Sequence, residues 1–161
     1  MIIHPIPPVY DENSKILLLG SFPSVKSRET EFFYGHRQNR FWRVISTLLA
    51  APIPITIEDK CKLLLSNHIA LWDVIGSCEI HGSSDSSIKN ATPNPIPVLI
   101  SKTKIEKIYL NGKTAEKYFR AFFGDTLKTE VLTLPSTSPA NAKMSLEDLI
   151  GEWSVIVDKN T

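Results

Sequence analysis

Between Leu17 and Trp42 the chain concentrates residue types that could do chemistry. Leu17-Leu18-Leu19 runs into Gly20-Ser21-Phe22-Pro23-Ser24, and Phe32-Phe33-Tyr34-Gly35-His36-Arg37-Gln38-Asn39-Arg40-Phe41-Trp42 follows. A short apolar run ending in Gly-Ser-x-Pro reads as a buried parallel strand that delivers a tight loop to the edge of a sheet. The second segment places three consecutive aromatics, a histidine, two arginines and an uncharged amide within eleven residues. A core has no use for that mixture in a loop. A site that stacks a flat ring, contacts phosphates and holds a water does.

The surrounding pattern predicts how such a loop is positioned. Strands are expected over 15–19, 69–72, 105–110 and 131–134, each a short apolar run. Between them lie helical stripes: Phe41, Trp42, Ile45, Leu48 and Leu49 in one, Ala115, Tyr118, Phe119 and Phe122 in another. Thr56 with Asp59, Asn94-Pro95, and Ser145 with Asp148 read as helix starts. The polar, serine-rich stretch 74–94 has no period and is expected to be a long loop. Strand and helix alternating four times predict an α/β, three-layer α/β/α sandwich around a four-stranded parallel sheet. In such sheets ligands lie beyond the carboxyl ends of the strands. Ser21, Asp73, Asn111 and Ser136 all fall there.

The bulk properties set bounds. A chain of 161 residues is expected to form a single domain over 1–161 with a real core. The net charge of +1 does not announce a nucleic-acid binder, but five basic residues between Lys26 and Arg43 face only Glu29 and Glu31. Two cysteines, Cys61 and Cys78, suit a reducing interior and cannot supply four thiolates, so no iron–sulfur cluster is expected. His4, His36, His68 and His81 show no metal spacing. Of these only His36 is expected near the site. With no signal peptide, no membrane-length span, no metal and no cofactor expected, the cytoplasm is the default compartment and a monomer the default state.

Taken together, Gly20-Ser21-Phe22-Pro23, Asn39-Arg40-Phe41-Trp42, Leu71-Trp72-Asp73-Val74 and Leu134-Pro135-Ser136-Thr137-Ser138-Pro139 resemble the uracil-DNA glycosylase superfamily, and within it the deoxyinosine (hypoxanthine) glycosylase branch. The resemblance runs from about Ile16 to Asn141. It implies a monofunctional enzyme that hydrolyses the N-glycosidic bond of an extruded, deaminated nucleotide in DNA. Tyr34 falls at the family's ring-stacking position and Asn39 at the branch's catalytic position. An amide has no titratable group, so its oxygen is expected to orient a water rather than take its proton. Asn39 as a plain helix cap is the alternative.

The remaining candidates follow from their chemistry. Ser21 and the backbone N–H groups around Phe22 are expected to donate to the base. Asp73, an acceptor when ionised, suits a base edge presenting N–H, or else caps the following loop. Asn111, Gly112 and Lys113 open a helix suited to a phosphate. Pro23, Ser24, Arg40, Ser136, Thr137 and Ser138 are expected to meet the DNA backbone. Phe22 and Leu134 stand where uracil enzymes carry polar water-positioning groups, which favours the deoxyinosine branch. The rivals are a uracil or mismatch glycosylase and a non-catalytic module for damaged or single-stranded DNA.

Overall fold

A computed structural model describes residues 1–157. The last four residues of the domain expected over 1–161 lie outside the described residues. The chain forms strands β1 (Ile2–Ile3), β2 (Ile16–Gly20), β3 (Ile69–Asp73), β4 (Ile75–Glu79), β5 (Lys89–Pro93), β6 (Lys107–Asn111) and β7 (Glu130–Leu134). Its helices are α1 (Val25–Thr30), α2 (Phe41–Leu48), α3 (Ile57–Ser66), α4 (Ile96–Ser101), α5 (Lys113–Phe123) and α6 (Leu146–Trp153).

The expected four-stranded sheet is present, all parallel, in the order β3-β2-β6-β7. Side chains alternate across a strand, so β2 feeds two cores at once. Leu18 packs with Leu71, Tyr109, Phe41, Ile45, Leu149 and Trp153, under α2, α3 and α6. Leu17 and Leu19 pack on the opposite face with Ile108, Leu110, Ile96, Leu99, Ala115 and Phe119, under α4 and α5. That two-sided burial explains why β2 reads as an unbroken apolar run. It makes the three-layer α/β/α sandwich.

Local signals place the helix starts. Thr56 accepts from the Asp59 N–H at 3.0 Å, and Ser145 with Asp148 forms a reciprocal capping box. The helix expected to start at or near Asn39 begins at Phe41, whose N–H donates to the Asn39 carboxamide oxygen at 2.9 Å. Ser24 caps α1, a short helix that carries too little apolar pattern to be read beforehand.

One expectation fails. The stretch 74–94 is no loop: β4 and β5 pair antiparallel, and β1 pairs with the other edge of β4. The pairing is interrupted by register shifts, and β5 is mostly exposed on both sides, so no period of two marks it in the sequence. Asn94 ties this hairpin to the main sheet, donating to the Asp73 and Ile75 carbonyls at 2.9 and 3.2 Å.

Candidate active site

Parallel register aligns the strand ends: Gly20 lies beside Asp73, and Asn111 beside Leu134. Beyond them opens a cavity of about 380 Å³, within the range of ligand pockets. It gathers Ser21, Phe22, Pro23, Ser24, Tyr34, Asn39, Asp73, Asn111, Ser136, Thr137 and Ser138 from five separate stretches of chain. Of the residues singled out from the sequence, only Arg40, Gly112 and Lys113 do not line it. Two buried tryptophans pin the loops that build it. The Trp42 indole donates to the Phe33 carbonyl at 3.1 Å, and the Trp153 indole to the Pro135 carbonyl at 2.9 Å.

Asn39 is held by a chain of polar contacts. The Asn111 amide donates to both Tyr34 Oη and Thr137 Oγ1, each at 3.1 Å, and its oxygen accepts the Thr137 N–H. Thr137 Oγ1 then donates its own proton to Asn39 Oδ1 at 2.9 Å. With the Phe41 N–H also on it, that oxygen has both lone pairs engaged. The expectation that the oxygen faces a water is therefore corrected: Oδ1 is the anchored end, and Nδ2, a donor, is the end left toward the cavity. Arg40 rather than Asn39 is the cap residue of α2, yet Asn39 still holds the first helical N–H while lining the cavity.

Asp73 is buried, and its Oδ2 receives the Nε2–H of His4 at 2.7 Å. The Ile6 N–H donates to His4 Nδ1 at 3.2 Å, so that nitrogen carries the lone pair and Nε2 the proton. Asp73 Oδ1 has no such partner and opens on the cavity. The loop cap expected of Asp73 is supplied by Asn94 instead, on the Asp73 backbone carbonyl. Gly20 makes room for this arrangement. A Cβ there would sit 2.5 Å from Asp73 Oδ1 and 2.9 Å from Tyr34 Oη.

Tyr34 lies with one ring face on Phe41, centroids 4.0 Å apart at 18°, which leaves the other face as a platform. Its backbone is left-handed, φ 54°, a costly conformation outside glycine that tends to occur at functional sites. Burial, helped by the Asp73 charge and opposed by the Asn111 contact, pushes the phenol well above its ordinary range, so it stays a neutral donor. At the solvent-exposed mouth, Asp85 accepts from Ser21 Oγ at 3.4 Å. Desolvation by its neighbours raises the Asp85 carboxyl, the Asp73 charge adds to that, and Thr114 and Ser21 oppose it. The Ser21 hydroxyl, expected on the base, is thus directed to a carboxylate. Phe22 is buried against Ile75, Cys78 and Ile88.

The outer loops divide into donors and struts. Ser136 Oγ and Ser138 Oγ each accept a backbone N–H, from Ser138 and Ala140, which leaves their own protons to donate. Ser24 is spent on α1, accepting from the Ser27 N–H and donating to Ser27 Oγ. Arg40, expected on DNA, is a strut: its guanidinium donates to the Ser138 and Asn141 carbonyls at 2.9 Å and to that of Met144. Gly112, φ 97°, packs against Ser136, where a Cβ would come within 3.0 Å of the serine Cβ. Lys113 stands exposed at the start of α5, beside the cavity rather than in it.

Sequence reasoning missed His4, Ser83 and Asp85. His4 lies just after the amino-terminal strand β1, and the other two in the hairpin read as a loop. Only the expectation for His36 pointed to a histidine at the cavity, and it does line it. Among the described residues no group of three or more His, Cys, Asp or Glu is placed to hold a metal ion, and no helix is long and apolar enough to cross a membrane.

The chain is similar to known proteins along nearly its whole length. A hypoxanthine DNA glycosylase of Methanosarcina acetivorans is 35% identical over 158 residues, 97% of this chain and 98% of that protein. One of Methanosarcina barkeri is 33% identical over 150 residues, 92% and 93% of the two chains. The solution structure of a candidate uracil DNA glycosylase from Methanosarcina acetivorans superposes with a TM-score of 0.79 at 32% identity, covering 98% of this chain and 100% of that one. The family model of the uracil DNA glycosylase superfamily matches residues 7–153, and to that superfamily the chain belongs.

Proposed function

We propose that this protein is a monofunctional DNA glycosylase that removes deaminated bases, hypoxanthine first, by hydrolysing the N-glycosidic bond. The observation that carries this reading is the cavity at the strand ends. There a ring platform (Tyr34), an acceptor (Asp73 Oδ1) and an anchored carboxamide (Asn39) meet without an amine among them. The names of the two Methanosarcina relatives supply the substrate class.

The extruded base stacks on the free face of Tyr34, and Asp73 Oδ1 accepts its N–H. As the C1′–N bond breaks, its electron pair goes to the base and the sugar becomes electron-poor. Asn39 Nδ2 holds a water at the sugar, donating to one lone pair and leaving the other for C1′. The water oxygen bonds to C1′ and its proton passes to solvent, so no strong base is required. Ser136 and Ser138 donate to the flanking phosphates, and Lys113 adds a long-range charge. Among the described residues no lysine lines the cavity to form a Schiff base, so the product is an abasic site. The enzyme works as one cytoplasmic domain, a monomer without metal, cofactor or iron–sulfur cluster.

Labelled duplexes carrying inosine, uracil or xanthine, treated with hot alkali after incubation, test this. Cutting at inosine is expected from wild type, with Asn39→Ala at least about a hundredfold slower and DNA binding retained. Binding without cutting of any duplex by wild type would overturn the reading in favour of a binding module.

A further inference from the structure

We propose that His4 is a specificity-determining positioning residue, which consumes one oxygen of Asp73 so that the cavity offers a flipped purine a single carboxylate acceptor. This rests on the glycosylase reading above. It goes further in explaining how guanine, the commonest base with hypoxanthine's edge, is refused.

The two Asp73 oxygens have different surroundings. Oδ2 takes the His4 Nε2–H at 2.7 Å, with both side chains almost wholly buried. Oδ1 opens on the cavity beside Gly20. His4 cannot swing away. Its Nδ1 is engaged by the Ile6 N–H, and its ring lies edge-on to Phe22 at 5.8 Å and to Trp72 at 6.4 Å, with Phe33 at 6.1 Å. The backbone of His4 is fixed as well, its N–H donating to the Gly76 carbonyl at 2.8 Å.

The base edges then decide the outcome. Hypoxanthine presents one donor, N1–H, which one oxygen satisfies. Adenine presents a lone pair at N1, which meets Oδ1 repulsively. Guanine presents N1–H and a 2-amino group together, a pair of donors that matches a carboxylate using both oxygens. The His4 ring covers Oδ2, with both side chains at most 5% exposed, so the 2-amino group cannot reach that oxygen, and a buried donor left unpaired is strongly disfavoured. A free aspartate at this place would favour guanine. An aspartate held by histidine does not.

The test compares binding of 2′-fluorinated, non-cleavable inosine, guanosine and adenosine, each placed opposite an abasic site so that no base pair must open. Wild type is expected to prefer inosine over both by at least about tenfold. In His4→Leu the inosine-over-guanosine preference is expected to fall at least about tenfold, while inosine over adenosine changes little. His4→Gln, which keeps an N–H near the Nε2 position, is expected to restore it. Asp73→Asn is expected to lose the preference over adenosine, because the His4 N–H selects the carboxamide oxygen and turns its NH2 to the cavity. A folded His4→Leu that still refuses guanosine overturns the proposal. If that variant does not fold, His4→Gln and Asp73→Asn decide it, and an unchanged preference for inosine over adenosine in the latter overturns it. A wild type that cuts no inosine duplex would instead remove the glycosylase reading itself.

Discussion

Thr137 Oγ1 donates to Asn39 Oδ1 across 2.9 Å, joining residues 98 positions apart in the chain. The direction of that bond follows from Asn39 itself: its carboxamide oxygen has no proton to give, and the Phe41 N–H on the same oxygen fixes that end in place. Two donors on one oxygen, the buried Thr137 hydroxyl and the Phe41 N–H, fix which end of the Asn39 carboxamide is anchored and which is left free.

Removing that hydroxyl is therefore expected to hurt activity beyond its effect on folding. Thr137→Val leaves an Asn111 donor unpaired, a cost of about 1–3 kcal/mol, readable in urea unfolding. It also frees Asn39 to rotate, and single-turnover cleavage is expected to slow by about tenfold or more. Thr137→Ser, which keeps the hydroxyl, should recover most of the rate. A Val variant with wild-type cleavage would show that the contact does not orient Asn39.

Gly20→Ala tests the crowding at the end of β2. The added methyl would lie 2.5 Å from Asp73 Oδ1 and 2.9 Å from Tyr34 Oη, closer than real contacts allow, so both groups must move. Cleavage of inosine DNA is expected to drop by about a hundredfold, as a misplacement near 1 Å can cost. Thermal unfolding should show whether the strand end itself tolerates the change. Normal kinetics would mean that neither group needs its present position.

Arg40 and Lys113 should separate by salt dependence. Lys113→Ala is expected to reduce the slope of log affinity against log salt by about one, as loss of a phosphate contact does. Arg40→Ala is expected to leave that slope unchanged while loosening the loop from Ser138 to Met144, because its guanidinium is committed to three carbonyls there. Faster proteolysis within 136–145 would register the loosening. A slope change in Arg40→Ala instead would return this residue to the DNA.

Asp85 gives a pH dependence whose sign can be stated. Its folded carboxyl is raised above the ordinary value near 3.9, chiefly by desolvation. Between that value and the raised one the folded state binds more protons than the unfolded chain, so this group's contribution falls as pH rises. Asp85→Asn is accordingly expected to be more stable than wild type at neutral pH, with the difference vanishing in acid. Losing a negative charge at the cavity mouth should also tighten DNA binding at low salt. A stability difference that grows on acidification would contradict the assignment.

Much of the fold could be read along the chain because its signals are local. The Leu17-Leu18-Leu19 run, the stripes of α2 and α5, and the Thr56 and Ser145 caps each depend on neighbours within a turn or a strand. The parallel sheet then follows from alternation, and with it the meeting of Ser21, Asp73, Asn111 and Ser136 at one edge. The β4–β5 hairpin escaped because shifted register and exposure on both faces erase the period of two.

The sequence by itself determined which strands carry the site and which side chains stand at their ends. Tertiary structure alone decided what those side chains present. It turned Arg40 into the loop's strut, set the Asn39 amide nitrogen rather than its oxygen toward the cavity, and brought His4 onto Asp73 from 69 residues away. The physical reason is that a hydrogen bond is made with whatever partner packing delivers. Propensity and periodicity record a residue's own neighbourhood and carry no trace of a donor arriving from another strand.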